Sequence, residues 1–160
     1  MTAISSDIHR PQRAVTEALI TAVPLAGYTN FAGGSVAFNV YKGGVLLIDV
    51  DDTDGYARPH NSEGAAVTVA DGDIFVGIAV ETQAVTSSNT ADGSVKCSVA
   101  RDGIWGFPVL SLAQARAGEP AFMTDDNTVT ITSTNALWIG FIVGIDTTYV
   151  YVDISQAVGQ

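Results

Sequence analysis

The sequence predicts an all-β fold, a small β-barrel or β-sandwich carrying an extended N-terminal arm. Three observations predict it. From Ser35 onward the chain is a succession of short runs rich in β-branched and aromatic residues, SVAFNV, VLLIDV, AVTVA, DIFVGIAVE, SVKCSVA, GIWGFPV, TVTITS, LWIGFIVGI and TYVYVDI, separated by Gly, Asp and Asn. These runs leave no room for the crossover helices that a parallel sheet requires. The chain has 160 residues, 47% of them hydrophobic, which suits one domain with a sizeable core.

Residues 1–30 differ from the rest and are assigned to the arm, with residues 31–160 as the β domain. His9, Arg10 and Arg13 form a basic concentration on a chain whose 17 acidic and 7 basic residues give a net charge of −10. The stretch Ala14 to Ile20 has helical potential, but its β-branched residues and lack of a strong cap favour an extended arm equally. In the body, Ser111 to Ala117 is the one credible helical piece, closed by Gly118 and Pro120. Two segments echo each other, Phe75-Val76-Gly77-Ile78-Ala79-Val80 and Trp138-Ile139-Gly140-Phe141-Ile142-Val143, each with Gly third in an apolar run. A glycine there is expected to serve a bulge, a barrel corner or a close backbone approach. In the last run Val150, Val152 and Ile154 fall on one face, and Tyr149, Tyr151 and Asp153 on the other. Cys97 alternates with Val95 and Val99 and reads as a small core residue.

The charge makes nucleic acid and anionic membrane poor partners, since few cations are available to replace counterions. No apolar run approaches the ~18 residues of a membrane span. The stretch AVTEALITAVPLAG is interrupted by Glu17 and Pro24 and does not read as a secretory leader, so synthesis in the cytoplasm is expected.

Asp49-Val50-Asp51-Asp52-Thr53 follows an apolar run, as the nucleophile loop of a dehalogenase-type phosphatase does. The context that such an enzyme needs is missing. The loop runs into Gly55-Tyr56-Ala57-Arg58-Pro59 instead of a long helix, and Lys96, the lysine downstream, lies in an alternating run. A calcium loop fails on frame: counting from Asp52 puts Ala57 where the turn glycine belongs, and counting from Asp49 puts His60 at the twelfth position. A looser calcium site stays open as an alternative. The favoured reading is a solvated turn in which Asp side chains bond their own backbone and Gly55 supplies positive φ. His9 lies in the arm and His60 in a polar Pro-Asn-Ser loop, so neither a triad nor a histidine metal site assembles. The expectation is no catalytic residue, no metal and no cofactor.

The order of YKGGVLLIDVDDTDGYARP, GDIFVGIAVET, GSVKCSVARDGIWGFPV, AGEPAFMTDDNTVTITS and IGFIVGIDTTYVYVDI resembles a family of tailed-phage capsid decoration, or cement, proteins. The features that carry the resemblance are Gly55-Tyr56-Ala57, Val76-Gly77-Ile78-Ala79, Arg101-Asp102-Gly103-Ile104-Trp105, and Gly118-Glu119-Pro120-Ala121-Phe122 before Asp125-Asp126. Ile104 departs from the pattern by preceding the aromatic Trp105, and the arm has no counterpart in it. The resemblance implies a non-enzymatic virion protein on the outer capsid surface that binds the major capsid protein and itself, usually as a trimer. On that footing His9, Arg10 and Arg13 are the expected capsid-binding residues of the arm, and Trp105, Tyr149 and Tyr151 the expected oligomer interface. The alternatives are a carbohydrate- or receptor-binding β-sandwich module of a phage particle and, more remotely, the phosphatase.

Overall fold

The computed structural model describes residues 12–14, 19–29, 34–51, 54–60, 72–108, 116–125, 127–134 and 136–160, with residues 12–14 described as backbone. The strands are β1 (Gln12–Ala14), β2 (Ile20–Pro24), β3 (Phe38–Val40), β4 (Val45–Ile48), β5 (Ala57–Pro59), β6 (Ile74–Ala79), β7 (Gln83–Val85), β8 (Lys96–Ala100), β9 (Ile104–Pro108), β10 (Pro120–Met123), β11 (Val129–Thr130), β12 (Leu137–Ile145) and β13 (Tyr149–Asp153). They form a six-stranded sheet, β1-β9-β13-β12-β10-β11, a five-stranded sheet, β2-β8-β6-β4-β5, and a two-stranded sheet, β3-β7. All named strand pairs are antiparallel. The fold is all-β as expected, and among the described residues no sheet closes into a barrel, so of the two expected forms the sandwich applies.

The two large sheets repeat one plan. Five strands in chain order, β2, β4, β5, β6, β8, are matched by β9, β10, β11, β12, β13, and both sets lie in the spatial order first-fifth-fourth-second-third. The register matches as well. Leu46 faces Gly77 and Leu47 faces Phe75, leaving Val76 as the extra residue of a bulge. Ala121 faces Gly140 and Phe122 faces Trp138, leaving Ile139 in the same role. Ile78↔Ala100 and Ala79↔Val99 correspond to Phe141↔Asp153 and Ile142↔Val152, and Ile20↔Ala100 corresponds to Ile104↔Asp153.

Flanking hydrogen bonds repeat too. Gly43 N–H donates to the Ala79 carbonyl at 2.8 Å and Gly118 N–H to that of Ile142 at 2.7 Å. Ala79 N–H donates to the Gly44 carbonyl and Ile142 N–H to that of Glu119, both at 2.9 Å. The sequence echo at Gly77 and Gly140 is the visible part of this duplication. Each has positive φ (145° and 138°), and a Cβ at either position would run into a backbone carbonyl, that of Ala100 or of Asp153. Both the turn of the bulge and the close strand approach therefore require glycine.

Trp105, Phe107, Val150, Val152, Ile139 and Ile142 on one sheet, with Cys97, Val99, Val76, Leu46 and Ala57 on the other, belong to a single buried cluster. Burying each large side chain contributes about 1.5–3 kcal/mol. The alternation expected in β13 holds: Val150, Val152 and Ile154 are buried, while Tyr149, Tyr151 and Asp153 are half-buried.

The long connections of the first half, 25–44 and 80–95, carry β3 and β7, which have no counterpart among the described residues of the second half, where β12 and β13 are joined by a tight hairpin. On this added sheet Phe38, Val40 and Val85 are buried and Asn39 and Ala84 exposed.

The expected boundary of the arm at residue 30 needs correction. Ile20–Pro24 pairs along its whole length with β8, and Leu25 is fully buried, so this stretch belongs to the body. Basic composition marks the chain only as far as Arg13, and the short strand behind it has no composition of its own to separate it from an arm. Gln12–Ala14 is extended and pairs with β9 of the same chain. Of the expected helix at Ser111 to Ala117, residues 111–115 lie outside the described residues, and Arg116 and Ala117 lie in a tight turn.

Candidate functional site

The Asp49–Asp54 segment is organised by its own backbone. Asp49 Oδ1 accepts from Asp51 N–H at 2.9 Å, and Asp54 Oδ1 from Tyr56 N–H at 2.9 Å. Gly55 has φ 71°. These are the bonds and the glycine that the turn reading expects; Asp52 and Thr53 lie outside the described residues. Asp54 also pairs with the fully buried Arg58, Nη2 to Oδ2 at 2.5 Å. Among the described residues no group of three or more His, Cys, Asp or Glu is placed to hold a metal ion.

His60, expected in a polar loop, is fully buried. Its Nε2 lies 3.2 Å from the Met123 carbonyl, and its Nδ1 has no partner among the described residues. Burial holds the imidazole below its ordinary pKa, against the Met123 carbonyl and the nearby Asp125, which both favour the proton. Asp125 Oδ1 accepts from the N–H groups of Asn127 and Thr128 at 2.8 and 2.6 Å, tying the turn between β10 and β11. Cys97 is buried as expected, and its thiol is pushed up to about 12 by burial first and by Glu81 second.

The three residues expected at an oligomer interface separate. Trp105 needs correction: it is 9% exposed, it belongs to the core, and its indole N–H donates to the Asp102 carbonyl at 2.9 Å. Its place in β9 puts it opposite Val152, on the inner face, so it is not offered to a partner. Tyr149 and Tyr151 do come together on the outer face, with ring centroids 6.2 Å apart. Tyr151 Oη donates to Asp146 Oδ2 at 2.9 Å, and Asp146 Oδ1 caps the hairpin by accepting from Thr148 and Tyr149 N–H at 2.7 and 2.8 Å. His9 and Arg10 lie outside the described residues, as does the side chain of Arg13.

The tyrosines belong to a larger aromatic face that sequence reasoning missed. Trp138 and Phe141 meet edge to face at 5.8 Å, and the Trp138 indole N–H donates to the Gly140 carbonyl at 3.0 Å. Phe122 stands opposite Trp138, and Phe141 opposite Asp153, which shares its face with Tyr151 and Tyr149. All five aromatic side chains are half-buried, and Val143, the extra residue of a second bulge in β12, is 43% exposed. Period-two alternation would put residues 138, 140 and 142 on one face. Only the extra Ile139 brings Trp138 and Phe141 together, and the Gly140 echo was the available signal.

The duplication sharpens the contrast. The first-half equivalents of Phe122, Trp138 and Phe141 are Leu47, Phe75 and Ile78, all at 0% exposure. One face is thus covered in the first half and half-open in the second. The arrangement is an apolar, partly hydroxylated surface, suited to contact with a macromolecule.

Fold and face together define an internally duplicated β-sandwich with one aromatic outer surface. Comparison with protein families, with curated proteins and with solved structures gave no match for this chain.

Proposed function

We propose that the protein is a structural virion component that decorates and stabilises the outer surface of a phage capsid, binding the major capsid protein as a homo-oligomer, with a trimer the expected state. The observation that carries the reading is the half-open aromatic face of Phe122, Trp138, Phe141, Tyr149 and Tyr151 on an antiparallel body. Such a face suits burial between subunits or against a protein shell, where aromatic residues are enriched. The net charge of −10 keeps many copies soluble and opposes binding to DNA. An oligomer would gain firm attachment from modest contacts through effective concentration. The resemblance of the ordered segments from Tyr41 to Ile154 supplies the identity of the shell. His9, Arg10 and Arg13 are proposed as an additional contact from the arm.

The same aromatic face supports a second reading, stacking on sugar rings by a carbohydrate-binding module, because Trp138 and Tyr149 offer partly open ring surfaces. Co-sedimentation of the full chain with undecorated capsids and with insoluble polysaccharides separates the two. Capsid binding that Trp138→Ser and Tyr149→Ser weaken supports decoration. Binding to polysaccharide alone supports the second reading, and binding to neither overturns both.

A further inference from the structure

The duplicated plan is filled in one half and left open in the other. Arg101 N–H donates to the Leu19 carbonyl at 2.9 Å and Ile154 N–H to the Gly103 carbonyl at 3.1 Å, bonds that hold the same place in the two sheets, so Arg101 is the equivalent of Ile154. The same registers make Val23 the equivalent of Phe107, Ile48 of Met123, Ile74 of Leu137 and Val76 of Ile139. The second-half set is at most 2% exposed. In the first half Val23, Ile48, Ile74 and Arg101 are only half-buried, and together with Val76 they line a cavity of about 160 Å³. Its walls meet because the parallel bridge Leu25↔Ala57, with Ala26 N–H donating to the Ala57 carbonyl at 3.0 Å, draws β5 and its neighbour β4 toward the Pro24 end of β2.

Among the described residues lining this cavity, Arg101 is the one with a charge. Its Nε is buried without a hydrogen-bond partner, and among the described residues its guanidinium makes no ion pair. An arginine that only lays its stem along apolar surface keeps its head in water. Here Nε is cut off from water, and a buried charged donor left unmet is costly. On a chain of net charge −10, an unmatched cation at an apolar cavity calls for an anion from outside. The other lining side chains are aliphatic or aromatic, and the N–H of Gly159 at the rim is already committed to the Phe75 carbonyl at 2.9 Å. The site therefore offers one charged fork and an apolar bed.

We propose that the cavity binds a small apolar carboxylate, a branched aliphatic or single-ring aromatic acid, with its head on Arg101 and its body against Val23, Ile48, Ile74 and Val76. The volume suits a body of that size, since an apolar cavity of about 150 Å³ accommodates a benzene ring. A carboxylate meets the planar fork of Nε and one Nη with two parallel bonds, and so supplies the acceptor that Nε lacks. A peptide carboxyl terminus would bring an amide N–H and C=O as well, for which the apolar walls have no partner. In the second half Phe107 and Ile154 occupy the positions of Val23 and Arg101, so the larger ring and the apolar side chain fill the space that the ligand takes in the first. The cavity shares no residue with the aromatic face, and the inference stands independently of the decoration reading.

The test uses the full chain, with benzoate and 3-methylbutanoate as probes and benzamide as the neutral counterpart of benzoate, at constant ionic strength. The backbone amide resonances of Phe75, Arg101 and Gly159 are expected to shift saturably with at least one of the acids. Benzamide should bind at least about tenfold more weakly than benzoate, the loss expected when a charge-assisted pair is removed. Arg101→Gln, which keeps much of the side-chain length, should weaken benzoate by a similar factor. Val23→Phe copies the second half and should abolish binding by filling the cavity, with a melting temperature no lower than that of the wild type. Should that variant fail to fold, the comparisons of benzamide with benzoate and of Arg101→Gln with the wild type still decide the matter. The proposal is overturned if neither acid gives a saturable shift up to about 10 mM, well above the affinity expected of a built site. Benzoate binding that Arg101→Gln leaves unchanged, or that a folded Val23→Phe retains, overturns it as well. So does binding of N-acetylphenylalanine where neither small acid binds, which would assign the cavity to a peptide carboxyl terminus.

Discussion

His60 shows how a polar residue can read wrongly from its neighbours. Flanked by Pro59 and Asn61 it looks like a loop residue, yet β5 carries it to full burial, where its backbone N–H donates to the Val45 carbonyl at 3.0 Å. Above about pH 6.5 the imidazole is neutral in both folded and unfolded chains. As pH falls below that value the unfolded chain takes up a proton first, because burial holds the folded-state pKa lower. Stability is therefore lost from about pH 6.5 downward until the folded-state value is passed. Urea unfolding between about pH 7 and pH 5.5 should show this slope in the wild type and lose it in His60→Leu. An unchanged slope would assign the effect to other groups. The Asp loop gives a second prediction at this scale. Asp54 pairs with a guanidinium at 0% exposure and is itself 20% exposed, so Asp54→Ala should cost about 2–3 kcal/mol, somewhat below a fully buried pair. Asp49→Ala removes one turn bond at an exposed position and should cost under about 1 kcal/mol. Equal losses in denaturant titrations would contradict the difference drawn between the two carboxylates.

At the scale of elements, β6 and β12 carry the bulges that set both sheets. Gly77→Ala and Gly140→Ala each place a Cβ against a backbone carbonyl at positive φ, and should cost at least about 2 kcal/mol, or roughly 4–8 °C in melting temperature. Gly34→Ala, where nothing lies within 4 Å, should stay within about 0.5 kcal/mol. Indistinguishable melting temperatures for the three variants would show that the strands relax around the added methyl. These glycines were legible in the sequence because a strand glycine between large apolar residues needs a reason. The alternating runs likewise located β4, β6, β8, β9, β12 and β13. β5 was not legible: Ala57-Arg58-Pro59 is short, contains a charge and a proline, and is a strand because β4 offers an edge, a non-local cause. β2 was hidden inside a presumed arm for the same reason. The aromatic face was half legible, through Tyr149 and Tyr151, whereas Trp138 and Phe141 needed the bulge to be known first.

At the scale of the molecule, the shared core decides what each half can do alone. The inner faces of the two large sheets bury their side chains in one cluster, including Phe107, Ile139 and Val152 from one and Leu46, Cys97 and Val99 from the other. Splitting the chain between Asp102 and Gly103, in the turn joining the halves, would leave each fragment with a bare apolar face. The second fragment, residues 103–160, is also near the size at which one layer of strands cannot bury enough surface to fold. Neither fragment should therefore show a cooperative thermal transition by itself. Co-expression should restore one, because the apolar faces complement each other and the cost of association replaces the cost of closing the Asp102–Gly103 turn. Calorimetry on the separate and co-expressed fragments checks this directly. A cooperative transition in residues 1–102 alone would mean that the added β3-β7 layer supplies the first half with a sufficient core of its own, and that the duplication joined two independently stable units.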